Sequence, residues 1–264
     1  MRKIRELLSV SQTSGDVGIE IEVEAQRRLP SNDLPTPWRA EADGSLRGYA
    51  MEYITNGPIS ITHVDTAVNS LAAIVEPSGP QQSFRAGVHI HLNAQELTLP
   101  QVGNVVAAYY CLETALMKFC GESREGNHFC LRLKDAKYPL RPLLDALNSG
   151  ELYPLDTDQL RYSALNLRAL TRYGSLEFRG METTPNFSKI NEWSQILCKL
   201  RTYGEGLQDR TDIAFDMSAD GPENWARGVL GDELFRLIDY QDFQTDVMSC
   251  LRDIQTLIYQ KATP

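Results

Sequence analysis

Apolar and polar residues alternate strictly through three short segments of this chain, and each predicts a strand with one apolar face and one chemically loaded face. In the first, Val17, Ile19, Ile21 and Val23 fall on one side while Glu20, Glu22 and Glu24 fall on the other. In the second, Val88, Ile90 and Leu92 alternate with His89, His91 and Asn93. The third sets Leu176 and Phe178 against Ser175, Glu177 and Arg179. Residues two apart on a strand lie about 6.5–7 Å apart on one face, close enough for their polar ends to act together.

The remaining pattern is mostly helical. Trp38 to Thr55 reads as short strands joined by the Asp43-Gly44-Ser45 turn, and Val64, Ala67, Val68, Leu71 and Ile74 repeat at helical spacing within Thr62 to Val75. Thr98 and Gln101 can form a capping box opening a helix that runs to about Phe119. Residues 121–158 read as a loop-rich excursion with short helices near Leu140 to Leu147. Tyr162–Leu170 and Gly174–Met181 read as a hairpin around Thr171 to Gly174. Helices are then expected from Ile190 to about Tyr203, after Gly221-Pro222, and from Asp232 to about Lys261. This order favours an α+β fold, an antiparallel sheet with helices on one side, over alternating βαβ units. No repeat, low-complexity tract or long linker divides the chain, so residues 1–264 read as one domain.

Composition narrows the function classes. The net charge is −9 with 42% hydrophobic residues, which argues against a broad electrostatic grip on nucleic acid or anionic membrane. The N-terminal residues lack an apolar signal core, and no stretch nears the roughly 20 apolar residues that span a bilayer, so a cytosolic location is expected. The five cysteines are scattered without a Cys-x-x-Cys pair and read as buried thiols rather than a zinc site or disulfide framework.

The polar rows carry the candidate chemistry. A glutamate row alone is better explained by a solvated sheet face, and a Glu-x-Arg pair is as well explained by a plain salt bridge. Two of the four histidines on one strand face, beside such rows, point instead to metal or phosphate. Carboxylates with imidazole and no thiolate suit a hard cation, Mg²⁺ or Mn²⁺. In a nucleotide site the carboxylate of Glu177 holds the cation while Arg179 grips a phosphoryl oxygen with its planar fork.

Six blocks in order, Gly18-Ile19-Glu20-Ile21-Glu22, Asp43-Gly44-Ser45-Leu46, Met51-Glu52-Tyr53-Ile54, Gly87-Val88-His89-Ile90-His91, Leu165-Asn166-Leu167 and Leu176-Glu177-Phe178-Arg179, resemble the amidoligases. These are carboxylate–amine ligases with a glutamine-synthetase-like catalytic fold. The resemblance covers about residues 17–186, and the helical part 187–264 carries none of its motifs. It implies a curved antiparallel sheet holding Mg²⁺ or Mn²⁺ between ATP and an acid, which is phosphorylated to an acyl phosphate and then attacked by an amine. It further implies that Glu20, Glu22, His89 and Glu177 are metal ligands and that His91 and Arg179 meet the nucleotide phosphates. Glu52 resembles a further metal or amine-site carboxylate. Asp43, Ser45 and Arg47 fall in a turn of the acid pocket, which a plain Asp-Gly-Ser turn also explains. Arg124, in the stretch ending His128-Phe129-Cys130, is expected with Asn166 and Arg168 at a substrate carboxylate or a nucleotide phosphate. Glu24 lies outside the pattern and is expected to be solvated. Competing readings are an amino-acid or guanidino kinase of the same fold, a metal-dependent hydrolase and an inactive binding protein. The acid and the amine are small molecules or peptides, with a modified nucleotide also open.

Overall fold

In a computed structural model of the chain, which describes residues 1–128, 130–136, 139–183 and 186–259, the alternating segments pair into one open antiparallel sheet. Its strands are β1 (Val17–Ala25), β2 (Trp38–Glu41), β3 (Tyr49–Thr55), β4 (Pro80–Gln81), β5 (Gly87–Asn93), β6 (Leu165–Asn166) and β7 (Ser175–Glu182). They lie in the order β2-β3-β1-β5-β7-β6, with β4 beside the end of β1. The three loaded strands β1, β5 and β7 are therefore adjacent at the centre, although long stretches of chain separate them.

Val17, Ile19, Ile21 and Val23 are at most 1% exposed, as are Val88, Ile90, Leu92, Leu176 and Phe178. This apolar side packs on α3 (Leu99–Cys120) and α7 (Ser188–Gly206), where the Phe178 ring meets Tyr109 at 5.0 Å and Trp193 at 6.2 Å between centroids. The Thr98 backbone N–H donates to Gln101 Oε1 at 2.9 Å, completing the expected capping box of α3. The other helices are α1 (Ile4–Leu8), α2 (Val64–Val75), α4 (Leu133–Ala136), α5 (Leu140–Ser149), α6 (Ala169–Tyr173), α8 (Thr211–Asp220), α9 (Pro222–Leu230), α10 (Asp232–Phe235), α11 (Phe243–Asp253) and α12 (Gln255–Tyr259).

Two expected elements differ. The two strands of the hairpin after Tyr162 do pair antiparallel, but the first is only the two-residue β6 and the turn holds the one-turn helix α6. Asn166 Oδ1 accepts the Arg168 N–H at 3.0 Å and turns the chain out of the sheet, and Gly174 closes α6 at φ +67°. A Cβ on Gly174 would lie 2.7 Å from Gln95 Cγ, so glycine is needed there for both backbone and space. The single terminal helix is broken into α10, α11 and α12, because Ile238 and Val247 are nine residues apart and a straight helix would put them on opposite faces. Its expected end at Lys261 lies outside the described residues. α8 is an element that periodicity did not reveal.

Helices α3 and α7 cross closely. A Cβ on Gly204 would lie 2.6 Å from Val105 Cγ2 and 2.7 Å from its backbone nitrogen. Gly204→Ala is therefore expected to destabilise the fold by about 2 kcal/mol through overpacking, read as a lower denaturant midpoint at unchanged slope. A stability equal to the parent's would show that the helices separate freely.

The excursion is pinned by a carboxylate with no water contact. Glu113 on α3 is 0% exposed and accepts the N–H groups of Leu133 and Lys134, at 2.8 and 2.9 Å, at the start of α4. Burial pushes its carboxyl up to about 7 despite these bonds. The folded value thus exceeds the ordinary 4.5, so Glu113's contribution to stability is full below about 4.5 and lost as pH rises through about 7. Against Glu113→Gln, the native chain is expected to lose on the order of 3 kcal/mol between pH 4.5 and 8, measured by denaturation at each pH. A constant difference between the two curves would contradict this.

Candidate active site

The register of the central strands assembles the polar rows into one cluster. Glu20 on β1 lies opposite His89 on β5, His91 lies opposite Glu177 on β7, and Glu177 lies opposite Asn166 on β6. On the other flank Glu22 faces Glu52 of β3, which faces Glu41 of β2. A bulge sits in the middle: β7 sets Arg179 and Gly180 against the single residue His89. Bulges re-aim side chains. Here Arg179 shares the polar face with Glu177 while Gly180 turns to Met117 of α3.

Glu20 is the hub. One carboxylate oxygen lies 3.1 Å from His89 Nδ1 and the other 3.1 Å from His91 Nε2. His89 Nε2 is 4.0 Å from Glu22, and its Nδ1 is 4.0 Å from Glu177. The far oxygen of Glu22 accepts the Gly87 N–H at 2.7 Å. Glu177 is shared: Arg179 Nη1 donates to Oε1, and Asn166 Nδ2 to Oε2 at 2.6 Å. Glu20, Glu22 and Glu177 of the expected metal ligands therefore all lie within 4.0 Å of the fourth, His89. Among the described residues, three groups offer donor atoms mutually within 4.8 Å: Glu20, His91 and Glu177; Glu20, Glu52 and His89; and Glu22, Asp43 and Glu52. His91, expected only at the phosphates, thus joins the carboxylates as well.

The charges are balanced locally. Burial would raise the Glu20 carboxyl, but the hydrogen bonds and charges of His89 and His91 hold it well below the usual carboxylate range. Burial would lower the His91 imidazole, yet Glu20 and Glu177 raise it. Glu177 is likewise held down against burial, chiefly by Arg179. At Glu52 the balance falls the other way. Burial, with Glu20, Glu22, Asp43 and Glu41 nearby, pushes it up to about 7.

The other expected residues divide. Asp43 reaches Glu22 and Glu52 while its Oδ1 accepts the Ser45 N–H at 2.6 Å, so the turn is both an ordinary Asp turn and part of the cluster. Ser45 is exposed, and Arg47 directs its guanidinium to the carbonyls of Gly44, Ser45 and Leu46. Arg124 is 1% exposed and donates to the carbonyl oxygens of Arg179, at 2.8 Å, and Ala86. It braces the backbone beneath the site rather than opening onto it, and Gly87 leaves room for it, since a Cβ there would lie 2.9 Å from Arg124 Nη2. Phe129 of the same stretch lies outside the described residues. Arg168 sits at the rim, paired with Asp156 and Asp158.

Sequence reasoning missed three contributors. Glu24 is no bystander: it accepts the Arg47 N–H at 2.7 Å and anchors the turn bearing Asp43. Ser175 Oγ lies 3.1 Å from His91 Nδ1 and orients that ring, a role hinted at only by its place two residues before Glu177. Tyr173, 67% exposed with its ring edge-on to His91 at 5.8 Å, is brought in by α6 and left no pattern to find. It stands between two cavities. One, of about 310 Å³, is lined by Ile54, Thr55, Pro58, Asn93 and Gln95 beside Glu20 and His91. The other, of about 350 Å³, is lined by Asn166, Arg168, Arg172, Glu177 and Arg179.

A family model described as "Putative amidoligase enzyme" matches residues 58–200, more than half of the chain. The chain belongs to the amidoligase family. Family membership makes it an amide-bond-forming ligase. The matched segment holds β5, β6, β7 and most of α7, and so His89, His91, Asn166, Glu177 and Arg179. Glu20, Glu22 and Glu52 precede the match and join these amidoligase residues through strand register. No curated protein matches the chain. Among the described residues no helix is long and apolar enough to cross a membrane.

Proposed function

We propose that the chain is an ATP-dependent, ADP-forming carboxylate–amine ligase working through an acyl phosphate. The observation that carries this reading is the convergence of Glu20, Glu22, His89 and Glu177 on one sheet face, with the Arg179 guanidinium bonded to Glu177. Carboxylates and imidazoles without a thiolate fit Mg²⁺ or Mn²⁺. Such ions, when bound, would neutralise charge on the transferred phosphoryl group.

In this reading the cavity beside His91 seats the nucleoside, and His91 and Arg179 point the γ-phosphoryl group toward the acid. A carboxylate oxygen of the acid attacks γ-phosphorus, the new O–P bond forms, and the β–γ bridging bond breaks with its electrons leaving on ADP. Amine nitrogen then attacks the acyl carbon, a C–N bond forms, and phosphate leaves as the C–O bond breaks. Glu52, beside Asp43 at the open end of the cluster, receives the proton from the nitrogen. The protein needs no covalent nucleophile, because positioning and charge neutralisation suffice for phosphoryl transfer.

The decisive experiment incubates the purified protein with ATP, Mg²⁺ or Mn²⁺ and a small-molecule extract, with mass spectrometry of the products. The expected result is ADP and phosphate formed in step with a new amide. ADP accompanied by a stable phosphorylated product and no amide would replace the ligase with a kinase, and phosphate release without ADP-linked coupling would replace it with a hydrolase.

A further inference from the structure

The cavity beside His91 runs across the polar face of the sheet, and strand register sets its extent. Arg39 on β2 lies opposite Ile54 on β3, and Ile54 lies opposite Glu20 on β1. Gly18, two residues before Glu20, lies opposite His91 on β5. Arg39 and His91 therefore stand at the two ends of the cavity, three strand spacings or about 14 Å apart, with Gly18 and Ile54 between them. Gly18 brings no side chain to that floor, and Ile54 brings an apolar one.

The polar groups of the wall are spent on one another. Asn93 Nδ2 donates to the carbonyl oxygens of Thr13 and Gly15, at 3.2 and 2.9 Å. Gln95 Oε1 accepts the Thr13 N–H at 2.8 Å and its hydroxyl at 3.1 Å, while Gln95 Nε2 donates to the Tyr173 carbonyl at 3.2 Å. Thr55 Oγ1 accepts the Ile19 N–H at 3.0 Å. A site discriminates between ring substituents when its polar groups are held ready for them, and these are held for the protein.

Arg39 is different. Its Nε donates to Glu41 at 2.9 Å and its Nη1 to the Thr55 carbonyl at 3.2 Å. Two bonds from different nitrogens fix the plane of the guanidinium, and bonds lying in that plane leave its faces uncovered. Glu41 offsets the charge at short range, which weakens any pull on a phosphate. A fixed guanidinium plane suits stacking against a flat ring.

We propose that the nucleobase is held by its face on the Arg39 guanidinium, over Ile54, rather than read at its edge, so that adenine and guanine nucleotides serve alike. This rests on the ligase reading above, which puts the phosphates at His91 and Arg179. Ribose and the remaining phosphates then span the floor over Gly18.

Calorimetry on the full chain compares Mn²⁺·ADP, Mn²⁺·GDP and Mn²⁺·tripolyphosphate, the last having no base. ADP and GDP are expected to bind within about threefold of each other. Arg39→Ala should weaken both about tenfold, the scale of losing one stacking partner, and leave tripolyphosphate within about twofold. Arg39→Trp keeps a flat face without the charge and should restore ADP binding, whereas Arg39→Lys keeps the charge without the face and should not. Rescue by lysine but not tryptophan, with tripolyphosphate weakened in Arg39→Ala, would make Arg39 a phosphate contact and overturn the proposal. A tenfold preference between ADP and GDP, or ADP affinity lost in Tyr173→Leu but kept in Arg39→Ala, overturns it as well. If the unaltered chain binds neither Mn²⁺·ADP nor Mn²⁺·tripolyphosphate, the ligase reading itself fails; if it binds both and Arg39→Ala changes neither, only the stacking fails.

Discussion

Arg179→Ala is expected to slow ADP and amide formation about 10³-fold, the scale of losing an arginine that stabilises charge on a transferring phosphoryl group. The Arg179 side chain is set by the fold beside the carboxylate row. It projects from the β7 bulge opposite His89 and shares the polar face with Glu177, whose Oε1 it bonds. Arg179→Lys keeps the charge but loses the fork, and is expected to recover only part of the rate. Removing Arg179 also takes a countercharge from Glu177, which is 6% exposed, so thermal midpoints should be measured beside single-turnover rates. A rate near the parent's in a folded Arg179→Ala protein, or nucleotide affinity unchanged in both Arg179→Ala and Glu177→Gln, would remove both residues from the site.

The second large effect is expected at Glu20. It belongs to two of the three donor groups and holds both histidines, each at 3.1 Å. In Glu20→Gln the shape survives, but a charge and one acceptor oxygen are lost. Mn²⁺ affinity, followed by electron paramagnetic resonance, should fall about 10²-fold or more, since even groups that only orient ligands cost 10–100-fold. Because Glu20, with Glu177, raises His91 against burial, the imidazole's NMR titration should also move to lower pH in the variant. Unchanged Mn²⁺ affinity would reduce the glutamate row to a sheet surface, the reading that alternation alone favours.

The helix breaks and the α6 turn show where periodicity loses its hold. The alternation of β1, β5 and β7 is legible because one face of each strand is buried, and a slip of one residue would turn every glutamate and histidine into the core. The stripe from Leu234 to Ile258 is less informative, since apolar residues at uneven spacing suit several short helices as well as one long one. Arg124 illustrates a different limit. The family resemblance of its stretch implies a ligand contact, but whether its five N–H groups meet a substrate or carbonyl oxygens depends on how closely the backbone approaches, here at Gly87 and Arg179. Glu24 reverses in the same way, from solvated row-end to anchor of the Asp43 turn, through one bond to the Arg47 backbone.

By itself the sequence determined which residues could be chemical. Glu20, Glu22, His89, His91, Glu177 and Arg179 lie on the polar faces of strands whose other faces are apolar, and side-chain alternation follows from local backbone geometry alone. The sheet decided which of them meet. Strand order put β1 between β3 and β5 and put β5 between β1 and β7, register matched Glu20 with His89 and His91 with Glu177, and a bulge brought Arg179 to their side. Those pairings join residues far apart in the chain, as in the Glu20–His91 contact, 71 positions apart. Hydrogen bonding between distant strands and the burial of their common apolar face set them, and neither is written in any local segment. The Tyr173 partition and the Arg168–Arg172 rim belong to the same category, because they exist only where α6 folds back against β7.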